Sequence, residues 1–148
     1  MNTSGAGTDR SMDLFIFGAR GDLSGRKLFP ALYHLDNCGL LPGGLRIHAL
    51  AREDIDLKTL LDDMKPRVRR YVDDSRWSED QWAGYASRFS YHRIDFNSSD
   101  GYQRLSAELA PDRPALFYLA TPPSLFGPIC AHLGAANCLE GDRRLLLE

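Results

Sequence analysis

The chain has 148 residues, 43% hydrophobic and 26% charged, with 18 Lys+Arg against 20 Asp+Glu and a net charge of −2. At this size a chain buries about two thirds of the surface it exposes when unfolded, so one soluble globular domain needs neither metal nor disulfide to hold it. The composition argues against a fibre or a disordered tail, no apolar run approaches the ~20 residues of a membrane span, and the charge balance provides no long-range field for nucleic acid or anionic lipid. A dinucleotide domain together with a full substrate domain exceeds roughly 200 residues in ordinary dehydrogenases, so this chain is too short for both.

Residues 1–12 are small, polar and mixed in charge, lack the apolar centre of a signal peptide, and read as a frayed leader, which leaves 13–148 as one domain. Cys38, Cys130 and Cys138 are odd in number and lack metal-ligand spacing; they read as buried or half-buried reduced thiols of a cytoplasmic protein. Asp13 to Phe17 is an apolar run without polar alternation, as in a parallel strand covered on both faces. A glycine turn follows, then Leu28, Leu32 and Leu35 at helical spacing with a stop at Cys38-Gly39.

Leu45 to Ala51 is the second strand. Leu57 to Tyr71 is a helix that Pro66 is expected to kink or break, and Trp77 to Ala86 a shorter helical piece. Phe89 to Ile94 is a third strand, Ser99 to Leu109 a Ser-capped helix, and Ala115 to Ala120 a fourth strand. Pro122-Pro123-Ser124 opens a helix to about Leu133, and Arg144 to Leu147 is a fifth strand. The alternation demands parallel strands with right-handed crossover helices: an α/β, doubly wound, Rossmann-like sheet in a single domain, expected in the order 3-2-1-4-5 and incomplete at its C-terminal edge.

The ligand crevice of such a sheet lies at the carboxyl ends of strands one and four. There the loop Gly18-Ala19-Arg20-Gly21-Asp22-Leu23 leaves the first strand and opens the first helix. Gly18 permits the tight turn, Gly21 a close backbone approach, and the helix start offers unpaired N–H groups to a pyrophosphate, with Arg20, Arg26 and Lys27 adding charge. Two glycines at Gly-x-x-Gly spacing also suit a purely structural turn. Arg52, closing the second strand, favours the 2′-phosphate of NADP over NAD, although Glu53 and Asp54 follow and a shift of one residue reverses that reading.

The stiff end of strand four, Thr121-Pro122-Pro123, suits a cofactor wall or a plain strand-to-helix connection. Asp95 shares the sheet edge with Arg52, as an adenosine contact or a solvated strand end. The basic residues Lys65, Arg67, Arg69 and Arg70 lie among aspartates and read as a solvated helix face. The four histidines are scattered with no shared motif and read as structural, and Trp77 and Trp82 as core cover.

The residues resemble one known family. Phe15-Ile16-Phe17-Gly18-Ala19-Arg20-Gly21-Asp22-Leu23, then Arg26-Lys27-Leu28-Phe29-Pro30-Ala31-Leu32, then Arg52, then Phe117-Tyr118-Leu119-Ala120-Thr121-Pro122-Pro123, look like the coenzyme domain of the glucose-6-phosphate dehydrogenases, in the same order. The resemblance implies NADP as cofactor, held near Gly18, Ala19, Arg20, Gly21, Asp22, Leu23, Arg52, Asp95 and Tyr118. It also implies oxidation of glucose 6-phosphate at C1 to 6-phosphogluconolactone, the entry to the pentose phosphate pathway.

In the family a Lys-Pro motif and an Asp-His-Tyr stretch follow, carrying the substrate lysine and the general base. The sequence stops at Glu148 before either, so it reads as a fragment or truncated product that binds NADP without turnover, and glucose 6-phosphate partners only a full-length protein. The bared edge is expected to cause self-association. The alternatives are a stand-alone NAD(P) sensor without chemistry and, behind it, an epimerase-like domain whose usual Tyr-x-x-x-Lys pair is missing.

Overall fold

A computed structural model describes residues 11–147, so 1–10 of the expected leader lie outside the described residues. Ser11 and Met12, grouped with that leader above, instead open β1 (Ser11–Phe17), because Gly44 and Leu45 of β2 (Gly44–Ala51) stand opposite as ladder partners. After β1, a five-residue π-type segment (Ser24–Leu28) runs into α1 (Phe29–Asn37). Then come β2, α2 (Leu57–Arg70), α3 (Glu79–Ala86), β3 (Phe89–Arg93), α4 (Ser99–Glu108), β4 (Ala115–Leu119), α5 (Phe126–Ala135) and β5 (Arg143–Leu147). The strands pair in parallel in the order β3-β2-β1-β4-β5, the doubly wound order expected.

Strand side chains alternate between faces, and each face carries its own core. Leu14 and Ile16 of β1, with Ile47 and Ala49 of β2, pack under Phe29, Leu32 and Tyr33 of α1, Leu60, Met64 and Val68 of α2, and Trp82 and Tyr85 of α3. Phe15 and Phe17, with Leu50, Phe117 and Leu119, pack under Tyr102 and Leu105 of α4 and Ile129 and Leu133 of α5. The Tyr85 hydroxyl, fully buried, donates to Phe29 O at 2.8 Å and so ties α3 to the start of α1.

Several expectations change. The buried stripe of α1 is Phe29, Leu32 and Tyr33, which share the side packed on the sheet, while Leu35 falls off that side and is 40% exposed. Pro66 does not break α2: it faces solvent, and Leu60, Met64 and Val68 keep one continuous apolar stripe against the sheet on both sides of it. Trp77 precedes α3 in extended backbone, stacked on Tyr33 at 5.2 Å. The helix after Pro122 begins at Phe126, after a 3-10 turn at Pro123–Leu125. Cys138 is buried and Cys130 half-buried, but Cys38 is exposed beyond α1.

The scattered histidines are not all independent. Parallel pairing sets His48 beside Ser90 on neighbouring strands, two residues before His92. His48 Nε2 lies 3.0 Å from Asp13 Oδ1 and its Nδ1 lies 3.0 Å from His92 Nε2, with Ser90 Oγ 3.0 Å from that Nδ1. Arg113 closes the network, donating to both oxygens of buried Asp13 at 3.1 Å. Burial pushes the Asp13 carboxyl up, but hydrogen bonds from Arg113 and His48 outweigh it and hold it below its ordinary value. For His92, burial disfavours the imidazolium and nearby His48 adds to this, so its pKa lies below 6.5 despite Glu108.

The unfolded chain therefore takes up a proton on His92 at a pH where the folded chain resists it, and stability falls as pH drops through the ordinary histidine range. Thermal unfolding followed from about pH 8 to about pH 5.5 should show a falling midpoint, and His92→Gln should flatten the fall. An unchanged slope in the variant contradicts this role for His92.

Candidate functional site

Where β1 ends, Gly18 takes φ +90°, a conformation that side chains with a Cβ rarely adopt. A Cβ there would also stand 2.9 Å from Ala120 O and 3.1 Å from Thr121 Cγ2, so glycine allows the β1 turn to press against the end of β4. The Gly18 and Ala19 amides donate to Leu50 O of β2 at 3.0 and 3.1 Å, and Ala120 N–H donates to Phe17 O at 2.9 Å. Three strand ends are thus locked around one turn. At Gly21 a Cβ would meet Gly18 O at a tight 3.2 Å, so the turn itself also favours glycine there.

The first helical bond runs from Gly25 N–H back to Gly21 O at 3.2 Å. The amides of Asp22, Leu23 and Ser24 ahead of it precede the first intrahelical bond and lie at the positive end of the helix dipole. The Ser24 hydroxyl closes the turn by donating to Gly18 O at 3.1 Å. Arg67, assigned to a solvated face above, lays its guanidinium over Gly25, where a Cβ would come 2.8 Å from its Nη1.

An open crevice of about 400 Å3 lies at the carboxyl ends of β1 to β4. It brings together Gly18, Arg20, Gly21, Arg52 and Asp95. Arg20 is already engaged, with Nη1 3.2 Å from Asp63 and Nε 3.9 Å from Glu53. Arg52 is exposed, and its backbone carbonyl accepts from Arg93 Nε at 3.2 Å. Asp95 Oδ1 accepts from Asn97 N–H at 3.0 Å, which shapes the turn after β3.

The other four expected residues stand apart from this crevice. Ala19 is buried against a separate cavity between α1 and α2. Asp22 pairs with Arg26 at 2.8 Å, Leu23 is half-buried at the helix start, and Tyr118 packs on the core face shared with Leu14 and Ile16. Phe96 lines the crevice without having been singled out, beside Glu53 and Thr121, which the sequence offers as an alternative ribose contact and as part of a cofactor wall. Thr121 Oγ1 is buried with no hydrogen-bond partner, and so is Arg20 Nη1 despite its 3.2 Å approach to Asp63. A buried hydroxyl left unpaired costs roughly 1–3 kcal/mol and is commonly matched by water or ligand. Its place between a buried strand and two prolines was the available clue.

The cradle therefore suits an extended anion with a two-phosphate linker: free amides at the helix start, a turn whose two glycines carry no side chain, an orphan hydroxyl, and the exposed Arg52. No group of three or more His, Cys, Asp or Glu side chains suited to a metal occurs among the described residues, and none of their helices is long and apolar enough to cross a membrane.

Comparison with known proteins agrees with this geometry. The family described as "Glucose-6-phosphate dehydrogenase, NAD binding domain" matches residues 15–148. The glucose-6-phosphate 1-dehydrogenase of Dickeya dadantii is 32% identical over 146 residues, covering 95% of this chain and 29% of its own length. That of Kluyveromyces lactis is 36% identical over 152 residues, covering 95% and 30%. Among solved structures, the glucose-6-phosphate 1-dehydrogenase of Mycobacterium avium superposes with a TM-score of 0.85 at 32% identity, over 94% of this chain and 30% of that one. A glucose-6-phosphate dehydrogenase in complex with its substrate glucose-6-phosphate gives 0.82 at 30% identity, over 93% and 30%. This chain spans about 30% of the length of these relatives. It belongs to the glucose-6-phosphate dehydrogenase family, as the domain that binds the nicotinamide dinucleotide.

Proposed function

We propose that this chain is the coenzyme-binding part of a glucose-6-phosphate 1-dehydrogenase and that its coenzyme is NADP. The observation that carries the reading is the crevice at the carboxyl ends of β1 to β4, with the glycine turn at one end and Arg52 at the other. Arg52 is exposed and has no carboxylate partner among the described residues, which supports a role in pairing with a 2′-phosphate. Glu53, the residue that favours NAD in the alternative reading, is turned toward Arg20 at 3.9 Å.

In this reading the amides of Asp22, Leu23 and Ser24 hold the pyrophosphate. Arg20, matched by Asp63, keeps the turn in place while the amides carry the phosphate charge. Thr121 Oγ1 offers its hydroxyl to the ligand, and Pro122 with Pro123 stiffens the wall beside it. When bound, the coenzyme supplies the hydride acceptor for oxidation of glucose 6-phosphate at C1. None of His34, His48, His92 and His132 lines the crevice. We therefore assign removal of the hydroxyl proton to a group outside this chain's residues, so that the chain alone binds coenzyme without turnover. Its three free cysteines suit the cytoplasm as the compartment.

Titration calorimetry with NADP and NAD tests the cofactor. Arg52→Ala should weaken NADP by on the order of 1.5–3 kcal/mol and leave NAD nearly untouched. Equal weakening of both removes the 2′-phosphate role. Gly18→Ala should destabilise the fold by about 2 kcal/mol or more, through the left-handed backbone and the contact with Ala120 O, and a variant as stable as the parent in urea contradicts the turn's role.

At the other end of the sheet, edge strand β5 leaves Leu146 43% and Leu147 49% exposed. We propose that this edge is covered by self-association when the chain is isolated. Sizing chromatography at high concentration should show species larger than a monomer; a single sharp monomer peak speaks against it.

A further inference from the structure

A second open cleft, of about 480 Å3, lies beyond the end of β3 and is lined by Arg52, Arg93 and Arg104 together with the start of α4. Arg52 borders both this cleft and the crevice described above, so the two meet at its side chain. The three guanidinium groups differ from the arginines that are tied to a carboxylate. Arg20, Arg26, Arg69, Arg88 and Arg113 each have a carboxylate partner, whereas none of these three forms an ion pair among the described residues.

Local structure sets them where they are. Arg93 ends β3 and donates from Nε to Arg52 O at 3.2 Å, which fixes the backbone on which Arg52 rides. Arg104 lies one turn beyond Gly101 on α4, and Gly101 lets that helix close onto the end of β3: a Cβ there would stand 2.4 Å from Ile94 Cγ1. Two carboxylates border the cleft. Asp95 is committed to the turn after β3 through Asn97 N–H, and Asp100 sits in the first turn of α4, where the helix dipole favours it. Three guanidinium groups against two carboxylates leave the cleft net positive, and with none of the three in an ion pair among the described residues a dianion relieves their mutual repulsion. Guanidinium forks match phosphate oxygens two at a time, which makes a phosphate monoester the fitting ligand.

We propose that Arg104, with Arg93 beside it, is the second cationic wall of a phosphomonoester subsite shared with Arg52, and that this subsite takes the 2′-phosphate of the coenzyme's adenosine. The inference rests on the reading of the adjoining crevice as the coenzyme site. It makes Arg104 a specificity-determining residue contributed by α4, an element that takes no part in the glycine turn.

The test titrates NADP, NAD and adenosine 2′,5′-bisphosphate into the whole chain and into Arg104→Gln, Arg104→Lys and Arg52→Ala. Arg104 is exposed, so the variants are expected to keep the parent's unfolding temperature, which is measured alongside. Arg104→Gln should weaken NADP and the bisphosphate about tenfold or more while NAD stays within about twofold, Arg104→Lys should recover part of the loss, and NADP binding should become less steeply salt-dependent. If Arg104→Gln leaves NADP within about twofold while Arg52→Ala weakens it, the proposal falls and the coenzyme reading stands. Equal loss of NADP and NAD also overturns it, as a general effect on nucleotide. A parent chain that binds neither dinucleotide overturns both readings.

Discussion

The missing side chain at residue 18 is the constraint on which the site depends. With φ +90° and only a hydrogen where a Cβ would meet Ala120 O at 2.9 Å, Gly18 lets the end of β1 turn directly against the end of β4. The same turn hands two amides to Leu50 O, so the ends of β1, β2 and β4 are held at fixed spacing. The helix that follows starts directly from this turn, with its first amides ahead of the first intrahelical bond. Remove that close approach and the sheet remains, but the phosphate cradle and the orphan Thr121 hydroxyl no longer share one crevice.

Much of this was legible in the chain. Apolar runs without alternation at Leu14 to Phe17 and Phe117 to Leu119 could only be strands covered on both faces, and their alternation with helical periods leaves few topologies. What local pattern misses is tertiary compensation. Pro66 looked like a helix breaker because the rule concerns one lost backbone bond, yet the buried stripe of Leu60, Met64 and Val68 holds the helix through it. The face of α1 was misjudged because Leu28, Leu32 and Leu35 share helical spacing, yet the side packed on the sheet runs through Phe29, Leu32 and Tyr33 and leaves Leu35 exposed.

For the site, sequence spacing found the backbone features and the rim arginine, because glycine and a charge at a strand end have direct physical meanings. It was weaker wherever function arises from pairing across elements. His48 and His92 lie 44 residues apart yet come within 3.0 Å through parallel register, and Arg104 reaches the same cleft as Arg52 only because Gly101 lets α4 close on β3. Tyr118 shows the converse, since its place in a familiar motif set it near the coenzyme while its strand parity turns it toward the α1 and α2 side of the sheet. Charge distribution separates two sorts of arginine: Arg88 and Arg113 pair with carboxylates and hold elements together, whereas Arg52, Arg93 and Arg104, without carboxylate partners among the described residues, meet at the end of β3.

The central claim is that the amides opening the helix after Gly18 receive the coenzyme's phosphates. Backbone amide chemical shifts of the isotopically labelled chain, followed as NADP is added, test it residue by residue. The account requires the largest changes at Asp22, Leu23 and Ser24, with a second group around Arg52. Saturating NADP that leaves those amides unmoved, or moves mainly residues on another part of the surface, contradicts it.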